Sequence, residues 1–357
     1  MRIERYRGRE MKYFNYSLHN FLSVRVCTHA SFSKNYFDNI YIQLENFLAQ
    51  ETSIPDLSIH IGPFVPDIDN AQIFDDKYWI KNNSIYFKSE RKFSKWALEV
   101  KIDKGRVDCK IDTNLFGAVT KPHFFAEFFI QYLLLEKGVS VIHAAALEKG
   151  SNVLIIPGSS GGGKTTICMS LVEDGYTFLG DNYVIIFDGM AYSYTSPLNI
   201  FSYNLVPVIR KNLKASQLLD LYARFLLYKL TGGYIKIFKK INPVNILNNV
   251  GEKGSIKKIA FLTPNNNDAI AIREIDKNIA LKRLNNNMKL EWYDNFNMMD
   301  SALYGNCNFF YNYWTNSYKV LEKNLVDYTD YHEILVPEKY SPSCRAEVSA
   351  LLNDIMK

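Results

Sequence analysis

The sequence predicts an α/β protein in two parts, a β-rich N-terminal domain over residues 1–120 and an α/β domain over 121–357. Three observations lead there. A glycine-rich loop, Gly158 to Thr165, follows the apolar run Leu154-Ile155-Ile156 and precedes a helical pattern, the context of a strand–loop–helix unit. Short alternating or β-branched runs punctuated by Pro and Asn crowd the first 120 residues. Between them, Pro122 to Lys137 is apolar on most faces, begins with a helix-starting Pro and stops at Gly138.

Composition narrows the class. With 357 residues, 47% hydrophobic and 22% charged, the chain can bury a core for one large domain or two. Lys plus Arg at 42 against Asp plus Glu at 37 leaves a net charge of only +5 without a polybasic block, so neither nucleic acid nor a membrane surface is expected as a partner. Five cysteines lie far apart with no C-x-x-C pair, which fits reduced thiols and a cytoplasmic location. The N-terminus carries basic residues but no apolar segment of a secretory leader, and no apolar run is long enough to span a bilayer.

Taken in order, Phe21–Val26, Leu57–Ile61 and Ser84–Phe87 read as strands, and Trp96–Lys101 with Arg106–Ile111 as a hairpin across Asp103-Lys104-Gly105. His19, His29 and His60 lack ligand spacing and read as surface or packing residues. After the helix come strands at Val141–Leu147 and Val153–Ile156. A helix over Lys164–Glu173 is closed by Asp174-Gly175, and strands follow at Tyr176–Leu179 and Tyr183–Phe187. Leu213–Leu230 reads as a helix, and Ile256–Leu262 and Ala269–Arg273 as strands. Tyr293–Asn324 is helical and aromatic, Tyr331–Val336 a strand, and Ser343–Met356 a capped helix. The Asn-rich patches at 265–267 and 285–287 are expected to be loops. No internal repeat is present.

The loop Gly158-Ser159-Ser160-Gly161-Gly162-Gly163-Lys164-Thr165 has the spacing G-x-x-x-x-G-K-[ST] of a phosphate cradle. Glycines let the backbone curl so that successive N–H groups converge on an anion, and the helix beginning there, with Thr166 in its first turn, adds its positive end. Lys164 supplies a charge to the β- and γ-phosphates, and the Thr165 hydroxyl suits Mg²⁺. Two further residues bracket the loop. His143 lies 21 positions before Lys164 on the preceding strand, and Asp181 lies 17 after it at the end of the next one. Strand ends converge on a ligand crevice in such sheets, so Asp181 is expected to face the γ-phosphate. Taken alone, a histidine on an apolar strand reads better as a satisfied core residue than as a catalytic one, while an Asp before Asn182 fits a turn by composition but less well at this strand end.

These residues resemble the catalytic domain of the HPr kinase/phosphorylase family, which shows a strand histidine, a G-x-S-G-x-G-K-[ST] loop and a G-x-x-x-x-x-D-D motif at similar spacing. The matching residues are His143, Gly158 to Thr165 with Ser160-Gly161 inside, and Gly175 to Asp181; the likeness covers roughly 138–275. It implies a P-loop kinase fold related to phosphoenolpyruvate carboxykinase. It also implies a catalytic group of Lys164 on the phosphates, Asp181 taking the proton of the attacking hydroxyl, and His143 hydrogen-bonded nearby to tune it, with Thr165 and Asn182 at the metal. Two departures stand out. Asn182 replaces the family's second Asp, and an amide is a poorer ligand for a hard cation; Asp188 is a candidate to compensate. The family's second signature is absent, so reversible phosphorolysis is not expected. Arg210 and Arg273 are candidates to touch phosphate or acceptor.

The function expected is therefore transfer of the γ-phosphoryl group of ATP, or another nucleoside triphosphate, with Mg²⁺ to a hydroxyl. The favoured acceptor is a Ser or Thr of a peptide or protein, with the N-terminal domain recognising substrate or partner. A small-molecule kinase and a catalytically impaired nucleotide-binding regulatory module are the alternatives. The sequence names neither the acceptor nor the oligomeric state, a homo-oligomer included.

Overall fold

Alternating strands build the first compact unit, which in this computed structural model comprises Met1–Ser140 together with Lys289–Val320. The structure describes residues 2–6, 9–29, 43–50, 54–91, 93–114, 122–159, 161–201, 205–230, 238–266, 269–327, 329–338 and 341–357. The strands are β1 (Arg2–Tyr6), β2 (Arg9–Leu18), β3 (Leu22–His29), β4 (Leu57–Ile61), β5 (Gln72–Phe74), β6 (Tyr78–Lys81), β7 (Ser84–Arg91), β8 (Ser94–Asp103) and β9 (Arg106–Thr113). They form one sheet in the order β1-β2-β3-β4-β9-β8-β7-β6-β5, with β4 parallel to both its neighbours. The expected hairpin is present: Asp103 pairs with Arg106, and Lys104 and Gly105 both take positive φ, 47° and 75°, as a two-residue loop matched to strand twist requires.

Burial alternates along these strands, so one face of the sheet, including Val24, Val26, Leu57, Ile59, Leu98, Val100, Val107 and Ile111, is apolar and covered. Helix α1 (Pro122–Glu136) lies against β3, β4 and β9, and ends with Gly138 at φ 74°. This helix and the segment 289–320 differ from the expected division at 120, because both join the first unit. The reason is aromatic packing. Phe128 of α1 meets Trp292, Phe310 and Tyr313 at 5.6, 5.8 and 5.6 Å between ring centroids, and Trp292 Nε1 donates to Gln131 Oε1 at 2.7 Å.

The second unit, Val141–Met288 with Leu321–Lys357, holds a mixed α/β fold. Its strands include β10 (Ser140–Ile142), β11 (Ala144–Lys149), β12 (Asn152–Pro157), β13 (Thr177–Gly180), β14 (Tyr183–Phe187), β15 (Met190–Tyr194), β16 (Leu198–Phe201), β17 (Phe238–Ile241), β18 (Lys253–Asn265), β19 (Ala271–Glu274) and β20 (Asp330–Pro337). The main sheet runs β10-β14-β15-β18-β12-β11-β13, with β20 on the second half of β18 and β19 outside β20; β16 and β17 pair separately. β12, β18 and β20 are mutually parallel, whereas β11 is antiparallel to β12 and to β13. β12 and β13 therefore point the same way with β11 reversed between them.

Leu154, Ile156, Ala260, Leu262, Ile334 and Val336 form a core on one sheet face with Ile167, Cys168 and Leu171 of α2 (Lys164–Glu173) and Val348 and Leu352 of α4 (Pro342–Ile355). Between these two helices in sequence, α3 (Lys277–Glu291) buries Ala280, Leu281, Leu284 and Met288. Here a sequence expectation fails: Asn285–Asn287 are helical, and Asn285 is buried. The apolar spacing of Ala280, Leu281, Leu284 and Met288, together with capping by Asp276 Oδ1, which accepts from the Asn278 N–H at 2.8 Å, outweighs the modest helix penalty of Asn. Asn265 closes β18, and Asn267 lies outside the described residues. Two expected elements are broken: Val141–Leu147 is interrupted at His143, and Tyr293–Asn324 holds two separate helices, Phe296–Tyr304 and Tyr313–Asn324. α2 is found at the expected bounds and Ala215–Leu230 as the long helix. All five cysteines are buried and none forms a disulfide. Among the described residues, no helix is long and apolar enough to cross a membrane.

Candidate functional site

β12 delivers the chain to the glycine loop. Gly158 bridges Leu262 of β18, and a Cβ there would lie 3.2 Å from the Leu262 carbonyl oxygen, so the close approach of the two strands favours glycine. Gly161 and Gly163 have φ of 82° and 83°, the left-handed region that other side chains rarely enter. The Gly162 N–H donates to the Ser159 carbonyl at 3.1 Å, which closes the curl, and Gly163 caps α2. Ser160 lies outside the described residues. Ser159 is exposed, while Thr165 and Thr166 are half-buried in the first turn of α2.

Lys164 follows as a buried cation. Its Nζ donates to the Gly158 and Ser159 carbonyls at 2.7 and 3.0 Å, so the ammonium lies over the loop and its charge is solvated by backbone oxygens. Thr165 Oγ1 donates to Asp181 Oδ2 at 2.6 Å. Asp181 is 5% exposed at the end of β13. Burial pushes its carboxyl pKa up, against the Thr165 hydrogen bond and the Lys164 charge, which pull it down. Its other oxygen, Oδ1, is buried and has no hydrogen-bond partner among the described residues.

Strand directions explain this convergence. Ala144 pairs with Pro157 and Ala146 with Gly180, so the start of β11 and the ends of β12 and β13 meet at one sheet edge. His143 sits in the bend between β10 and β11 and joins that edge. Its ring packs edge-on against Tyr183, 5.8 Å between centroids, and its carbonyl accepts from Asn287 Nδ2 at 2.9 Å. Burial first, and the Lys164 charge second, push its pKa down to about 3, so the imidazole is neutral at physiological pH. His143 therefore offers neutral nitrogens rather than a second positive charge.

The remaining candidates separate from this group. The Asn182 amide donates to Ser196 Oγ at 3.3 Å. Asp188 stands in the β14–β15 turn with φ 49°, a strand length from Asn182. Arg210 is exposed on the short helix Pro207–Asn212. Arg273, on β19, forms an ion pair with Glu333. Three contributors escaped sequence reasoning. Gly180 is forced, since a Cβ there would lie 2.7 Å from the Tyr183 carbonyl oxygen and 3.3 Å from that of Tyr194. Its signal was a glycine directly before the aspartate. Asn287 stands in an Asn run that reads as a loop, and Arg283, whose Nη1 donates to Glu333 Oε1 at 2.6 Å, stands in a helix that local spacing does not mark.

A hard cation fits this chemistry. Mg²⁺ binds through one or two carboxylates plus substrate phosphates rather than through a full protein cage, and a buried carboxylate oxygen without a partner beside a loop threonine is such a donor set. Among the described residues, no cluster of three or more His, Cys, Asp or Glu side chains could hold a metal by itself.

No family model matches the chain. No curated protein sequence matches it. Among solved structures, the Hpr(Ser) kinase/phosphatase from Coxiella burnetii is similar at 10% identity over 61% of this chain and 90% of that chain, with a TM-score of 0.29.

Proposed function

We propose that the second unit is a kinase that transfers the γ-phosphoryl group of ATP to a hydroxyl, with a Ser or Thr of a peptide or protein as acceptor. The observation that carries this reading is the 2.6 Å hydrogen bond from Thr165 to the buried Asp181 beside the Lys164 loop. Backbone N–H groups from Gly161 to Lys164 and the start of α2 receive the phosphates. Lys164 moves from the Gly158 and Ser159 carbonyls to the β- and γ-oxygens. Thr165 and Asp181 would hold Mg²⁺, with Asn182 next to Asp181 between β13 and β14. When bound, the ion neutralises charge on the β- and γ-oxygens. Asp181 takes the proton of the acceptor hydroxyl, a task favoured by burial, which pushes its carboxyl pKa up. Neutral His143 orients beside Lys164 without adding charge that would compete for the phosphates.

The test is label transfer from γ-labelled ATP with Mg²⁺ to a library of Ser and Thr peptides. Expected is a labelled hydroxyl, lost in Asp181→Asn and in Lys164→Ala. Tight nucleotide binding with no acceptor ever labelled would overturn the reading.

A further inference from the structure

A second charged group stands at the same sheet edge, on the face opposite α2. Glu333 of β20 accepts from Arg283 Nη1 at 2.6 Å and from Arg273 Nε at 2.7 Å, and Arg273 Nη2 also contacts it. Thr263 Oγ1 donates to Glu333 at 2.8 Å and accepts from Arg283 Nη2 at 2.8 Å. The Arg283 guanidinium lies 4.5 Å over the Phe261 ring. The carboxylate is 5% exposed, Arg283 33% and Arg273 67%. Burial works to raise the Glu333 pKa, yet hydrogen bonds from Thr263, Arg283 and Arg273 outweigh it and hold the group ionised. One carboxylate thus faces two guanidinium charges. Glu274, next to Arg273, points to the other face of β19 by strand alternation.

Arg283 spends its Nη1 and Nη2 on Glu333 and Thr263, half-buried. Arg273 is different, because it is held along one edge by Glu333 while most of its surface faces solvent. Its strand is the outermost: among the described residues β19 pairs only with β20. Glu333 pairs in register with Phe261, and Gly158 bridges Leu262, so Arg273 is level with the start of the glycine loop. Three strand spacings separate β19 from β12, about 14 Å, the span of about four extended residues.

We propose that Arg273, braced by Glu333, which Arg283 and Thr263 hold in place, anchors a carboxylate of the acceptor, an acidic side chain about four residues from the hydroxyl. This rests on the kinase reading and names its substrate class as acidic peptides. A guanidinium held in place offers a carboxylate two N–H donors with little ordering left to do.

The experiment uses the full chain with a non-hydrolysable ATP analogue and fluorescent Ser peptides carrying one Glu, or Gln, two to five residues from the Ser. Expected by anisotropy is about tenfold tighter binding of one Glu peptide than of its Gln counterpart. Arg273→Gln abolishes that difference, Arg273→Lys keeps part of it, and nucleotide affinity is unchanged. Equal binding of Glu and Gln peptides by the native chain, no binding of either, or a preference that survives Arg273→Gln overturns the proposal. A Lys peptide, expected to bind more weakly than Gln, tests the native chain even if Arg273→Gln proves unstable. Binding is read without turnover, so a Glu preference with no label transfer counts against the kinase reading alone.

Discussion

Thr165 and Asp181, from a helix start and a strand end, share a 2.6 Å hydrogen bond that draws the carboxylate to the foot of the glycine loop. The pair acts as a unit, so each half has its own signature. Asp181→Asn keeps the shape but cannot take a proton, and should cost about 10²–10⁴-fold in transfer rate, with affinity for nucleotide measured without Mg²⁺ retained. Thr165→Ser should keep the bond and most of the rate, while Thr165→Val loses both. Steady-state kinetics on the three variants decides; equal rates in Ser and Val variants would remove the hydroxyl from the argument.

Lys164 Nζ donates to two loop carbonyls, those of Gly158 and Ser159. Lys164→Ala should weaken nucleotide binding by about 10- to 100-fold, the range of a charge-assisted hydrogen bond. Titration with a fluorescent nucleotide measures it. An unchanged affinity would show that the backbone cradle holds the phosphates unaided.

Gly180→Ala has no room, because both close neighbours of the new Cβ, the Tyr183 and Tyr194 carbonyls, are backbone. The strand must shift, at a cost of about 1–3 kcal/mol in stability, and the shift displaces Asp181. Thermal melting and transfer rate should fall together. A variant of native stability and native rate would contradict the geometry.

In the first unit, His60 Nε2 lies 3.4 Å from Asp108 Oδ1. The hydrogen bond to Asp108, and a second to Cys27, push the His60 pKa up to about 9 from the ordinary imidazole value of 6.5. A raised folded-state pKa contributes stability that is fully present below about 6.5 and is lost as pH rises through about 9. Both side chains are roughly half exposed, at 44% and 55%, so screening limits the effect to about 1 kcal/mol or less. NMR titration should place the His60 inflection near 9 in the native chain and lower in Asp108→Asn. Identical inflections would break the pairing.

The site's parts were legible where chemistry demands particular residue types in sequence. Gly161, Gly163, Lys164 and Thr165 must be consecutive or nearly so to cradle a phosphate, and α2 ends at Gly175 because a left-handed residue is needed there, at φ 89°. His143 reads as a strand residue but stands in the bend before β11, whereas Asp181 follows Gly180 directly at the end of β13, where the strand end is recognisable. What stayed hidden depends on long-range partners. Nothing local marks Arg283 as a neighbour of Glu333, 50 residues on. Asn287 was misread because helix propensity is a small term beside the burial of Leu281, Leu284 and Met288. Reversed β11 was likewise invisible, since apolar runs carry no direction.

Met1–Ser140 and Lys289–Val320 share one unit, and this sets a schedule for biosynthesis. The aromatic ring of α1 waits for Trp292, Phe310 and Tyr313, which leave the ribosome only after the whole glycine-loop segment has been made. At about 5–20 residues per second, the roughly 180 intervening residues take about 9–36 s. For that time Phe128 and Tyr132 lack the rings of Trp292, Phe310 and Tyr313, and the apolar surface that those rings cover stays open.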